Sequence, residues 1–256
     1  MHDQNIIYEQ PLNERMRFFL RLEFLFRHAR HCLNGSSAWD SHSGITTLVD
    51  ILGILGRVDI KTEVIKELDR LSDSLNSIPR TADVNHTTLD QLLTTLSSMK
   101  SQLYAKEGSI VQELKNNEFI KVLIQRGSVS GGLNDFDTPV YHYWLTRSHD
   151  QRNADLKRWL ASLDTLRMSI ELILKLIRES TDFSEEVATT GNYQKTLDSG
   201  SSYQLLRILL ADDTSYFAEI SAGKHRFTVR FMEPHSSDRP RQTSNDVSFK
   251  LACCVL

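Results

Sequence analysis

Near residue 182 the hydrophobic pattern of this 256-residue chain changes period, and that change limits its fold more than any other feature. Before it, apolar residues recur at spacings of three and four over long stretches; after it, they alternate in short runs between turn residues. The first spacing returns side chains to one face of a helix, and the second places successive side chains on opposite faces of a strand. The pattern predicts an α+β protein, with a mostly helical N-terminal domain over 1–181 followed by a small antiparallel β-strand domain over 182–256.

The helical stretch has readable punctuation. Pro11 precedes Asn13, a good N-cap, and Met16, Phe19, Leu22 and Phe26 give the first helix a wide apolar stripe as far as about His31. A second helix is predicted over 45–55. A third begins behind Asp59, where Ile60, Val64, Leu68, Leu71, Leu75 and Ile78 form the cleanest amphipathic series, stopped by Pro79. Further helices are predicted over 88–104, 110–125, 139–145, 152–162 and 166–178. Beyond 182, turn residues at Thr190-Gly191-Asn192, 198–202, 211–213 and 221–223 bound predicted strands at 203–210, 225–232 and 247–255. The polar stretch 235–245, with Pro240 inside it, reads as a long mobile hairpin loop.

Composition removes several classes. The longest apolar stretch, Leu48 to Leu55, is interrupted by Asp50 and is far shorter than the roughly 20 residues of a membrane helix. The first residues carry Asp3 and no basic run before an apolar core, so a secretory signal is not expected and the cytoplasm is. The three cysteines, two of them adjacent, make no disulfide framework. A net charge of −3 offers no global attraction to nucleic acid or an anionic membrane, so any electrostatic binding must be local.

The most informative local stretch is Lys224 to Met232. On a strand, Lys224, Arg226, Thr228, Arg230 and Met232 face one way while His225, Phe227, Val229 and Phe231 face the other. This is either a solvated strand face or a surface for a carboxylate-bearing peptide, which arginine can grip with two parallel hydrogen bonds. In the first helix, Arg17 and Arg21 lie near one line, Glu23 and Arg27 have the spacing of a helical ion pair, and Arg21 borders the apolar stripe. Arg21 is either a snorkelling arginine or a partly desolvated anion site.

Other constellations carry less. The run Arg126 to Gly132 lacks the Gly-Lys-Ser/Thr ending of a phosphate loop, and no strand precedes it. His28, His31 and Cys32 share a helix without a second ligand pair for zinc. Cys253 should face the core and Cys254 solvent or an interface. No nucleophile elbow, metalloprotease helix or Cys-x-x-Cys motif occurs, so no enzyme and no cofactor are expected.

A resemblance narrows the reading. The opening Tyr8-Glu9-Gln10-Pro11-Leu12-Asn13-Glu14-Arg15-Met16-Arg17, then Leu20 to Leu25, is similar to the start of the ZapD family of bacterial division proteins. Thr62-Glu63, Lys66 to Arg70, Gly131-Gly132, Phe136-Asp137, Pro139 and His142 to Leu145 continue the match in order. Trp159, Ala161 to Leu163, Gly191, Tyr193-Gln194, Ile220-Ser221, Lys224, Arg226-Phe227, Arg230 to Met232 and Leu251 to Cys254 complete it. The resemblance implies a cytoplasmic homodimer, concentrated at the division site, that binds the C-terminal tail of the tubulin-like FtsZ and cross-links its filaments to support Z-ring assembly and septation.

Carried onto matching positions, the resemblance gives Arg21, Arg57, His142, Lys224, Arg226 and Arg230 as tail-binding residues, with Arg126 and Arg152 as weaker candidates. Glu118 stands where the family leads one to expect an arginine. The rival reading from another class is a nucleic-acid-binding protein using strand 224–230. It would need aromatics stacked beside the cations, whereas Phe227 and Phe231 are expected on the opposite face. Neither nucleic acid nor membrane is therefore expected as a partner.

Overall fold

The structure, a computed structural model, describes residues 5–79, 85–105, 111–223, 225–236 and 238–256. Strand β1 (Ile6–Pro11) precedes helices α1 (Glu14–Cys32), α2 (Ala38–Leu55), α3 (Ile60–Asn76), α4 (His86–Ala105) and α5 (Gln112–Asn116). Helices α6 (Glu118–Gly127), α7 (Pro139–Thr146), α8 (His149–Ala161) and α9 (Asp164–Glu179) follow. The remaining strands are β2 (Ser184–Ala188), β3 (Asn192–Thr196), β4 (Leu205–Leu210), β5 (Phe217–Ala222), β6 (Arg226–Glu233), β7 (Arg241–Gln242) and β8 (Val247–Cys254). The fold is α+β. The chain forms two compact units: Phe18–Ile173 is one, and the segment up to Arg17 together with Leu174–Leu256 is the other.

In the helical unit, capping chemistry sets element ends that periodicity alone misplaces. Helix α2 starts well before the predicted 45, because Ser37 and Asp40 form a capping box: the Asp40 N–H donates to Ser37 Oγ at 3.0 Å and the Ser37 N–H to Asp40 Oδ2 at 2.9 Å. The predicted helix over 110–125 is two helices. Asn117 ends α5 and caps α6, its Oδ1 accepting from the N–H groups of Phe119 and Ile120 at 3.0 and 3.2 Å. On α3, Val64, Leu68 and Leu71 are wholly buried, and α4 packs against this helix with Leu96 and Leu103 inward.

Helix α2 also packs against α6, α7 and α8. There Phe119 stacks on Trp159 with ring centroids 5.6 Å apart, and Trp144 lies 6.1 Å from both Trp159 and Tyr141. Burial of side chains this size supplies roughly 1.5–3 kcal/mol each. Gly44 lets α2 approach closely: a Cβ there would sit 3.3 Å from Leu156 Cδ1 and 3.5 Å from Cys32 Cβ.

The strand unit holds two four-stranded antiparallel sheets. One has the order β1-β4-β8-β2; the other is β3-β6-β5, with β7 pairing β6. Their shared core takes Leu206, Ile208 and Leu210 from β4, Phe227, Val229 and Phe231 from β6, and Phe249 and Leu251 from β8. The strand unit includes the beginning of the chain, which the sequence leaves without an element: Ile6 to Pro11 pair with Leu210 to Leu205.

Charges fasten β1. Glu9 accepts from Arg178 Nε at 2.9 Å and Nη2 at 2.8 Å, and from Arg207 Nε at 3.1 Å, while Arg207 Nη1 donates to the Arg178 carbonyl at 3.1 Å. The expected loop over 235–245 contains β7, whose Gln242 and Arg241 pair with Met232 and Glu233.

Candidate functional site

Strand β6 alternates as its sequence dictates. Phe227, Val229 and Phe231 are buried in the shared core, and Arg226 and Arg230 are exposed on the other side. The pleat puts these arginines on one face, flanked by Thr196, Gln194 and Asn192 of β3 directly opposite Arg226, Thr228 and Arg230. Met232, assigned to the same face, is only 8% exposed, at the end where β7 joins the sheet.

The face is not free of acid, as reading along one strand suggests. Glu219 of β5 stands opposite Arg230 and accepts a hydrogen bond from its Nη2 at 3.0 Å. A cross-strand neighbour is invisible to a window that follows a single strand. Both partners keep about half their exposure, 52% and 44%, so the pair is worth little, on the order of 0–1 kcal/mol, and yields readily to a competing carboxylate. Arg226 has no side-chain partner among the described residues. Lys224 lies outside the described residues. Because Phe227 and Phe231 are buried, neither can stack a base beside these cations.

The other candidates belong to the helical unit, each on a different element. Arg21 is exposed on α1 beside Phe24, itself 60% exposed. Arg126 is exposed in the last turn of α6, and His142 is exposed on α7. No hydrogen bond or ion pair joins these side chains among the described residues.

Arg57 follows α2 and lines a concavity of about 520 Å³ with Lys61 and Lys115, two cations that the sequence did not single out. Asp59 shares its wall. Thr62 holds that carboxylate below its ordinary range, donating from Oγ1 at 2.6 Å and from its N–H at 3.2 Å.

Arg152 is a correction. It is 6% exposed, and its guanidinium is consumed inside the helical unit: Nε donates to Ser41 Oγ at 2.9 Å, Nη1 to the carbonyls of Leu145 and Arg147, and Nη2 to the carbonyl of Ser36 at 3.3 Å. It ties the end of α7 to the approach of α2, holding the fold where a surface contact was expected. Two other expectations fail. Cys254 is fully buried, and burial pushes its thiol up to about 11, while Cys253 packs partly against the core as expected. Glu23 is 8% exposed, and Arg27 forms no ion pair among the described residues. His28 is held by Thr47 Oγ1 at 3.0 Å and Ser43 Oγ at 3.3 Å, partners that suit a structural imidazole.

The fold and these side chains define a class: an α+β protein that couples a helical unit to a two-sheet antiparallel unit and offers solvent-facing cations as contact residues. A model of the family described as "ZapD: Cell division protein" matches residues 20–230. The chain is 42% identical over 251 residues to Cell division protein ZapD of Methylococcus capsulatus, covering 98% of each chain. It is 36% identical to the proteins of that name from Aromatoleum aromaticum, over 98% of each chain, and from Cupriavidus taiwanensis, over 97% of this chain and 99% of the relative. The chain belongs to the ZapD family of cell division proteins. No helix among the described residues is long and apolar enough to cross a membrane.

Proposed function

We propose that this chain binds the C-terminal tail of FtsZ through the Arg226 and Arg230 face of β6, and that a homodimer carrying two such faces cross-links FtsZ filaments at the division site in the cytoplasm. The observation that carries this reading is the β6 face itself: two exposed guanidinium groups on one side of a strand whose other side is locked into the core. A rigid strand fixes the spacing between the two groups. An extended acidic segment laid along it can therefore meet both without either partner losing much conformational freedom.

Arg21, Arg57, Arg126 and His142 are the helical unit's own candidates for contact with the same partner. Dimerisation is assigned to that unit. Bridging follows from valency, because two sites on one particle hold two filaments where a single site decorates one.

Anisotropy of a labelled FtsZ tail peptide tests the reading. Arg226→Glu combined with Arg230→Glu should weaken binding at least tenfold while circular dichroism stays that of the parent. Glu219→Gln, which releases Arg230 from its pair, should strengthen it. Unchanged affinity in a folded double variant would move the tail site off this face.

A further inference from the structure

We infer that the helical unit carries a separate groove, between the C-terminal half of α1 and α8, that takes an acidic peptide segment with an aliphatic side chain next to its carboxylates. The groove has two adjoining lobes, of about 470 and 360 Å³, and Arg30, Leu33 and Lys157 line both. The larger lobe adds Arg27 and His31. The smaller adds Leu160 and Ala161.

The smaller lobe also holds Asp164 and Arg167, which pair with each other at 3.0 Å; the groove's other cations are uncompensated. Several basic side chains elsewhere in the helical unit find carboxylates: Lys100 with Asp69 at 2.7 Å, Lys121 with Glu118 at 2.6 Å, Arg147 and Arg158 with Asp155 at 2.8 Å, and Arg167 with Asp164 at 3.0 Å, whereas Arg21 on α1, Arg57 after α2 and Arg126 on α6 stand apart from one another. Arg27, Arg30 and Lys157 are all exposed, and none forms an ion pair among the described residues. The acids nearby are already engaged. Asp164 serves Arg167, and Asp40, which interacts with His31, accepts from Ser37 Oγ at 2.7 Å.

Favourable interaction with the end of a helix accounts for Arg30 and His31, which sit in the last turn of α1. It does not account for Arg27 a turn earlier or for Lys157 on the facing helix. In a chain of net charge −3, three uncompensated cations around one depression are a local field waiting for an anion.

The walls are fixed. Asn153 Nδ2 donates to the Leu33 carbonyl at 3.1 Å, binding α8 to the end of α1. The close approach at Gly44 seats Cys32 and Leu156 over α2. A fixed groove spares a ligand the cost of ordering its site.

The chemistry selects the occupant. Arg27, Arg30 and Lys157 match carboxylates, and the half-buried Leu33 and Leu160 match an aliphatic side chain. A nucleic acid strand would need stacking surfaces, and of the two aromatic rings lining the groove Phe26 is 2% exposed, which leaves the His31 imidazole alone.

The test uses the full chain and three fluorescent probes: a peptide alternating glutamate with leucine, its glutamine counterpart, and a short single-stranded oligonucleotide. The acidic peptide should bind, with Arg30→Glu plus Lys157→Glu weakening it at least tenfold and Leu160→Gln severalfold. The same measurement in the Arg226→Glu plus Arg230→Glu background, where the strand face no longer contributes, should still show binding and the same tenfold loss with Arg30→Glu plus Lys157→Glu, which separates this groove from the tail site. If charge reversal compromises folding by circular dichroism, Arg27→Gln with Lys157→Gln serves in its place. The inference is overturned if these variants bind the acidic peptide like the parent, if the glutamine peptide binds equally well, or if the oligonucleotide binds more tightly through the same residues.

Discussion

At Arg152, four hydrogen-bond acceptors converge on one buried guanidinium, and removing it would leave backbone carbonyls of three residues without their donor. Arg152→Ala should therefore destabilise the protein by on the order of 3 kcal/mol. The exposed Arg126→Ala should stay within about 0.5 kcal/mol. Urea denaturation of the two variants side by side checks the contrast. His42 makes a second residue-level prediction. Its Nδ1 lies 2.7 Å from the Tyr141 hydroxyl, and burial holds its imidazole below the ordinary histidine value. The folded state thus binds that proton less readily than the unfolded chain, so stability falls as pH drops through about 6.5. His42→Gln should remove part of the loss in Tm that the parent shows on acidification from about pH 7 to about pH 5, read by thermal melts across that range. Cys254, with its thiol raised by burial to about 11, should be slow to react with a thiol reagent until the protein unfolds.

Among the elements, the β2–β3 hairpin shows what its turn requires. Thr190 and Gly191 both have positive φ, 48° and 68°, as a two-residue turn of the mirror-image type demands. A Cβ on Gly191 would lie 2.7 Å from the backbone and side chain of Thr243, so Gly191→Ala should cost about 1–2 kcal/mol. Thr190 is a β-branched residue in a region it disfavours, held there by its N–H donating to Asp246 at 2.8 Å and its carbonyl accepting from Gln242 at 2.9 Å. Thr190→Asn should raise stability by up to about 1 kcal/mol, measurable as a shift in Tm.

The same elements explain what the sequence could and could not reveal. The long helices and strands β4, β6 and β8 were legible because their apolar periods are sustained. Strand β1 was not, because six residues carry little period and the strand's partner lies at the far end of the chain. The break at Asn117 was not, because apolar spacing runs on across it while one side chain caps the next helix. The alternation of β6 located its arginines correctly, and the acid opposite Arg230 came from a neighbouring strand. Arg152, carried over from the family resemblance, is off the surface because the Ser41 hydroxyl and three backbone carbonyls take its guanidinium, and a position match says nothing of burial.

For the whole molecule, membership of the ZapD family gives a cell division role, and the proposed mechanism adds a partner and a valency. If exposed arginines carry the contact, affinity for the FtsZ tail should fall steadily with added salt, since the Debye length shrinks from about 10 Å at 0.1 M to about 3 Å at 1 M. Anisotropy across that range checks this, and a flat response would point to an apolar interface instead. Bridging of FtsZ filaments through the β6 face is read out by sedimentation of assembled FtsZ at low speed, where only bundles pellet, with the parent protein and with Arg226→Glu plus Arg230→Glu. The parent should pellet FtsZ together with itself and the folded double variant should do neither; a parent that leaves FtsZ in the supernatant, or a variant that bundles as well as the parent, would rule out bridging through this face.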